Sequence, residues 1–273
     1  MSASGPPAVE LYARVEGSGP PILLVHGLGG DHTAFHGVIP LLAPRFQVIA
    51  PDLRGHGRSP SSPGMTFSFA DHEADLRELL KKHGLTSAHV VGLSAGGFLA
   101  LQWALDAPAY ERSMTLVGAS SHCDNHTRAV ARNWAETYRN DGFDAYMLRL
   151  LKDLYYPDWI EAHMEVADEL REKMRNADLR GAFAWGDAVR SFDLRGRLGR
   201  VKAPTLILQG VDDAVVDGSH GRLLRQAIQG AHLKLFAQTG HLVPVERPQE
   251  TAAAIEEFVT RLESPPAGPM ADA

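Results

Sequence analysis

The sequence predicts an α/β protein built on a mostly parallel, twisted sheet, and three observations carry that expectation. Short continuous apolar runs such as "PPILLVHG" and "APTLILQG" recur along the chain, as strands buried on both faces of a parallel sheet require. Helical patterns with one apolar stripe fall between them, which is the alternation of an α/β domain. One stretch, 120–197, breaks that alternation with helix-like sequence alone and reads as a helical insertion between two strands.

In chain order, "VELYARVEG" suits antiparallel strands at one edge of the sheet. "PPILLVHG" and "FQVIAPD" read as the first buried strands, and Phe69, Leu76, Leu79 and Leu80 mark the stripe of a helix. "AHVVGLS" is the next strand. The helix predicted over Ala95–Ala107 is apolar almost all round, which makes it the central buried one. "RSMTLVGA" precedes the helical stretch, and "APTLILQG" and "AHLKLFAQ" follow it as strands. Ile255, Phe258, Val259 and Leu262 stripe the last helix. The expected organisation is a core of 1–119 and 198–263, a helical cap of 120–197, and a disordered Pro/Ala-rich tail of 264–273. Half of the aromatic residues fall in the cap. They suit either its own small core or a lid over a pocket, with Trp134, Tyr138, Tyr155, Trp159 and Trp185 as the candidate substrate contacts.

Bulk properties narrow the function. A length of 273 residues suits one large domain or a domain with an insertion. The formal charge of −6 offers no electrostatic reason for nucleic acid or an anionic membrane as partner. One cysteine, Cys123, excludes an internal disulfide and fits a reducing compartment. The start "MSASGPPAVELYARV" lacks the basic and apolar regions of a signal peptide. No stretch approaches the roughly 18 apolar residues of a membrane span. The expectation is a cytoplasmic protein.

Chemistry concentrates where strands end. Gly92-Leu93-Ser94-Ala95-Gly96 matches G-x-S-x-G in the strand–turn–helix context that gives the motif its meaning. Flanking glycines imply a bend too tight for side chains, with the Ser94 hydroxyl displayed as a nucleophile would be. Helix-capping alone would need fewer glycines. A serine needs a base. Of the chain's 13 histidines, His241 in "QTGHLVPVERPQE" is the one on a loop after the last strand, at the edge where open α/β sheets bind ligands. "LILQGVDD" delivers Asp212 and Asp213 to the same edge, and only one of two adjacent residues should reach the imidazole.

The segments "LLVHGLGG", "APDLRGHGRS", "VGLSAGGFLAL", "LILQGVDD" and "TGHLVPVERP" together resemble the α/β-hydrolase fold family, a group of esterases, enol-lactonases, carbon–carbon bond hydrolases and cofactor-free haloperoxidases. The resemblance spans about Val9 to Leu262. It implies a Ser94–His241–Asp213 triad, with the acid at the end of Gly210-Val211-Asp212-Asp213. It also implies an oxyanion hole from the backbone N–H groups of Leu28 and Ala95. His26 then orients its loop, and Arg54 and His56 belong to a structural turn. No metal or cofactor is expected. "SHCDNH" holds His122, Cys123, Asp124 and His126 but lacks a partner motif, and "GVDDAVVDG" lacks calcium-loop spacing. The implied activity is hydrolysis of a small-molecule ester or lactone with an apolar portion through an acyl-enzyme on Ser94. A diketone-type carbon–carbon hydrolase, a perhydrolase or haloperoxidase, and a ligand receptor on the same fold are the alternatives.

Overall fold

The structure, a computed structural model, describes residues 8–61 and 65–264. Among these residues seven strands form one sheet. They are β1 (Ala13–Glu16), β2 (Pro21–Val25), β3 (Gln47–Pro51), β4 (Ala88–Leu93), β5 (Glu111–Val117), β6 (Thr205–Gly210) and β7 (His232–Phe236). Their order across the sheet is β1-β3-β2-β4-β5-β6-β7. β1 pairs antiparallel with β3 at the edge, where "VELYARVEG" was expected, and every other pairing is parallel. The strand order reverses between β2 and β4. Connections leaving these two strands diverge, which opens a crevice at their carboxyl ends. "HGLGG" follows β2 there and Ser94 follows β4.

The continuous apolar runs have the predicted cause. In β2, Leu23 and Val25 enter one apolar layer while Ile22 and Leu24 enter the other. Helices α1 (Ile39–Leu42), α2 (Phe69–Lys82) and α3 (Ala95–Asp106) follow β2, β3 and β4 in chain order. Ser68 caps α2 in a reciprocal capping box with Asp71, and its predicted stripe joins the first layer. In α3, Phe98, Leu99, Leu101 and Trp103 are all buried, each contributing about 1.5–3 kcal/mol of apolar burial.

Four helices lie between β5 and β6: α4 (Asn125–Leu154), α5 (Pro157–Ala162), α6 (Met164–Asn176) and α7 (Arg180–Arg190). These helices occupy most of 120–197, with two further features. α4 is broken at Gly142, whose φ of 84° and ψ of −177° no helix contains. The ends of the segment are zipped by an antiparallel bridge between His122 and Asp193. Around it, Cys123 N–H donates to Phe192 O at 2.9 Å and Leu194 N–H to Ser121 O at 2.8 Å. α4 and α6 build a small core from Tyr146, Met147, Leu150 and Met174. α7 packs elsewhere: its Trp185 and Val189 join the layer that holds α2 and α3.

Helix α8 (Ser219–Ala227) follows β6, and α9 (Val243–Glu246) and α10 (Pro248–Glu263) follow β7. Ile255, Phe258 and Val259 of α10 enter the second layer with α1. Leu262 departs from its predicted stripe. It lies in the last helical turn and stays 38% exposed. The tail expected to be disordered falls, from residue 265 on, outside the described residues.

Candidate active site

Ser94 occupies the turn from β4 into α3 with φ 54° and ψ −121°, a conformation costly for any residue with a side chain. Three bonds hold it there. Its N–H donates to Val117 O at 2.8 Å, and its carbonyl accepts from Gly97 N at 2.8 Å and Phe98 N at 3.1 Å. The glycines around it answer to close backbone approach. A Cβ on Gly92 would strike the Gly96 carbonyl, and one on Gly96 would strike the carbonyls of Val25 and His26. A Cβ on Gly27 would lie 2.9 Å from that of Ser94, so the "HGLGG" loop runs directly against the serine.

The histidine and the acid meet at the same edge. His241 Nδ1 lies 2.8 Å from Asp213 Oδ2, with both side chains buried. A carboxylate only accepts, so Nδ1 donates to it, and in the neutral imidazole Nε2 then keeps its lone pair. Asp213 Oδ1 accepts from the N–H groups of Val215 at 2.9 Å and Val216 at 2.8 Å. Its Oδ2 also accepts from Gln209 Nε2 at 3.0 Å. Asp212 is exposed, and its N–H donates away to Thr239 O, so the geometry selects Asp213 of the two. Gln209 was missed from the sequence, although a glutamine inside the buried run "LILQG" is itself a signal.

Ser94 and His241 flank one turn. Val117 accepts from Ser94, and a Cβ on the next residue, Gly118, would come within 3.1 Å of His241 Nδ1. Among the described residues the Ser94 hydroxyl has no hydrogen-bond partner. Such bonds are commonly long before substrate arrives. The N–H groups of Leu28 and Ala95 likewise have no acceptor among the described residues. Ala95 is the first residue of α3, where an N–H has no partner within the helix.

The other polar residues near these loops are structural. His26 Nε2 accepts from Leu53 N at 2.9 Å, so its Nδ1–H donates to Gly27 O at 2.7 Å. Burial, with help from nearby His56, pushes its pKa down to about 3, so it stays neutral. Arg54 is paired with Asp75 at 2.7 Å and Asp71 at 3.2 Å, binding the "DLRGHGRS" turn to α2. In "SHCDNH", Asp124 caps α4 through Thr127 N and meets His220, while His126 bonds Ala214 O. Asp31, His32 and Asp52 bring three ligand-type atoms together. That cluster already holds a cation, because Lys173 Nζ of α6 lies 2.7 Å from Asp31.

The five aromatic residues of 120–197 expected as substrate contacts do not gather at one place. Trp134 donates to Asp153 at 2.8 Å and packs both within the helical segment and against Val215 and Val216 on the turn after β6. Tyr138 is exposed and meets Tyr146 edge-on. Trp185 is fully buried against His72 and His56, beneath the surface rather than on it. Tyr155 and Trp159 stack at 5.5 Å, and the backbone of Tyr155 abuts Gly240, next to His241.

A serine on the β4–α3 turn, an acid after β6 and a histidine after β7 define the α/β-hydrolase class. Residues 20–248 match the alpha/beta hydrolase fold family, and the chain belongs to it. It is 30% identical to a protein of Variovorax paradoxus named "Putative carbamate hydrolase RutD", over 93% of this chain and 98% of that one. An Azorhizobium caulinodans protein of the same name is 32% identical over 82% of this chain and 85% of its own. Among solved structures, a thermophilic esterase from Thermogutta terrifontis superposes with a TM-score of 0.84 at 28% identity, covering 94% of this chain and 95% of the esterase. The chain is a hydrolase of this fold. No helix among the described residues is long and apolar enough to cross a membrane.

Proposed function

We propose that the protein hydrolyses a carboxylic ester or lactone through an acyl-enzyme on Ser94. The observation that carries the reading is the strained Ser94 turn and the buried His241–Asp213 pair meeting adjacent residues, Val117 bonded to Ser94 and Gly118 packed on His241. In the first step Ser94 Oγ attacks the carbonyl carbon while His241 Nε2 takes its proton. The oxyanion forms against the N–H groups of Leu28 and Ala95, which are otherwise unengaged. Collapse expels the alkoxide, protonated by His241. In the second step His241 activates water, which releases the acid and restores Ser94. Asp213 holds the imidazole tautomer and offsets its positive charge. The helices of 120–197 act as a cap, and the Tyr155–Trp159 stack beside the His241 loop supports a substrate with an apolar portion.

Carbamates form the second reading, favoured by the names of the relatives at 30% and 32% identity. A carbamate presents the same carbonyl to the same serine, with an amine or alcohol leaving. A panel of esters of rising acyl size, lactones, carbamates and 1,5-diketones, assayed with wild type and Ser94→Ala, separates these readings. Turnover of esters or lactones that Ser94→Ala abolishes is expected, with kcat/KM rising with acyl size. Turnover confined to carbamates or diketones, or turnover kept by Ser94→Ala, overturns the reading.

A further inference from the structure

The loop that carries His241 is packed on β6 and the turn after it, and it is also tied to the helical segment inserted before β6. Three consecutive N–H groups of that loop are engaged. His241 N and Leu242 N both donate to the carbonyl of Leu154, the last residue of α4, at 2.9 and 3.2 Å. Gly240 N donates to the Glu246 carboxylate, 3.0 Å from Oε1 and 3.1 Å from Oε2. The same carboxylate accepts from Tyr156 N, two residues past Leu154, at 3.2 Å. A ring of hydrogen bonds therefore runs from Glu246 through Gly240–Leu242 to Leu154, and back through Tyr156. The two backbones are in direct contact: a Cβ on Gly240 would lie 2.7 Å from the carbonyl carbon of Tyr155 and 2.8 Å from Tyr156 N. Glu246 is the one side chain that closes the ring, and it is itself 3% exposed. Nothing in the expected triad requires it. Its place in "VPVERP" offers only a weak signal, a charge between apolar and proline residues.

We propose that Glu246 is a positioning residue that clamps the His241 loop to the α4–α5 junction, so that the helical segment sets where the imidazole stands relative to Ser94. The inference rests on the reading of His241 as the general base. Without the carboxylate, two largely buried N–H groups lose their acceptor, and the loop is free to shift away from the α4 end. A shift on the scale of an ångström is enough to slow a positioned proton transfer by about a hundredfold without altering how substrate binds.

The test compares wild type, Glu246→Gln and Glu246→Leu as full-length proteins by two independent readouts. The first is steady-state kinetics on the best substrate of the panel. The second, independent of turnover, is the low-field proton NMR signal of the His241 Nδ1–H donated to Asp213, with Asp213→Asn as the control that removes it. Glu246→Gln keeps the size of the side chain and one acceptor oxygen, which can stand where Oε2 meets Gly240 N and Tyr156 N, but puts an NH2 donor where Oε1 meets Gly240 N–H. It is expected to lower kcat about tenfold with KM little changed, and to broaden the low-field signal. Glu246→Leu, which has no acceptor, is expected to do the same more strongly, and if it does not fold, Glu246→Ala, also without an acceptor, takes its place. A folded acceptor-free variant, Glu246→Leu or Glu246→Ala, with wild-type kcat and an unaltered low-field signal overturns the clamp. If wild type turns over nothing in the panel, the proposed function fails while the NMR readout still judges the clamp.

Discussion

The sheet edge that carries the candidate site and the helical segment between β5 and β6 are built on different principles. At the sheet edge, position is enforced by backbone. Ser94 is trapped in a disfavoured conformation by bonds to Val117, Gly97 and Phe98, and Asp213 is anchored by two N–H groups of its own loop. In the helical segment, position is enforced by side-chain packing around Tyr146, Met147 and Leu150, and by a few ties to the core such as Lys173–Asp31. A backbone-enforced site leaves marks in the sequence as glycines and fixed spacings. A packing-enforced one tolerates any apolar set of suitable volume. That is why motifs crowd the first region and none is recognisable in the second.

The comparison breaks most sharply at Ser94. If the sheet edge holds the chemistry, Ser94→Ala loses about 10³-fold or more in turnover, with thermal stability little changed, since alanine keeps the Cβ and the same positive φ. A serine-directed phosphonate, located by peptide mass spectrometry, should label Ser94. Label at another residue would move the chemistry away from this edge.

Asp213→Asn is expected to cost on the order of 10⁴-fold in kcat, because an amide favours the wrong imidazole tautomer, whereas Asp212→Asn should be nearly silent. Steady-state rates of the two variants decide it, and reversed effects would contradict the geometry of the His241 pair.

Trp185 tests the other side of the comparison, since it lies in the helical segment by sequence but in the core by packing. Trp185→Ala should destabilise by about 3–5 kcal/mol, the range for a large buried ring. Trp159→Ala, at a half-buried position, should change stability far less and act on acyl-size preference instead. Thermal melts of both variants separate the roles, and equal melting temperatures would mean that Trp185 packs no more tightly than the outer aromatics.

The smallest effect expected concerns the core alone. Glu73 of α2 is held with its pKa raised to about 7, by burial first and by the charge of Asp106 second. Glu111 beside it is also raised, by burial and then by Glu73. A carboxyl raised in the folded state favours folding while protonated. That contribution is complete below its unfolded value near 4.5 and is lost as pH climbs toward 7. Glu73→Gln should therefore raise the melting temperature by a few degrees at pH 8 and hardly at pH 4.5 (about 4–8 °C per kcal/mol is the scale for small domains, less at this size). Melts of Glu73→Gln and wild type across that range check the sign. The helical segment should not respond, since the shift belongs to α2 and β5.

The sequence by itself determined the strand runs, the edge strand, the serine on its turn and the histidine after β7. Each follows from local chemistry: apolar continuity, glycine where backbones touch, and polar residues at strand ends. It left two adjacent aspartates beside one another, and only the resemblance chose between them. Tertiary structure made that choice physically, because the turn after β6 buries Asp213 under Val215 N and Val216 N and sends Asp212 to solvent. It also sent Trp185 into the core, left Leu262 exposed, and closed the ring from Glu246 to Leu154. These are contacts between residues far apart in the chain. Their energies depend on which surfaces meet, and neither periodicity nor spacing along the chain carries that information.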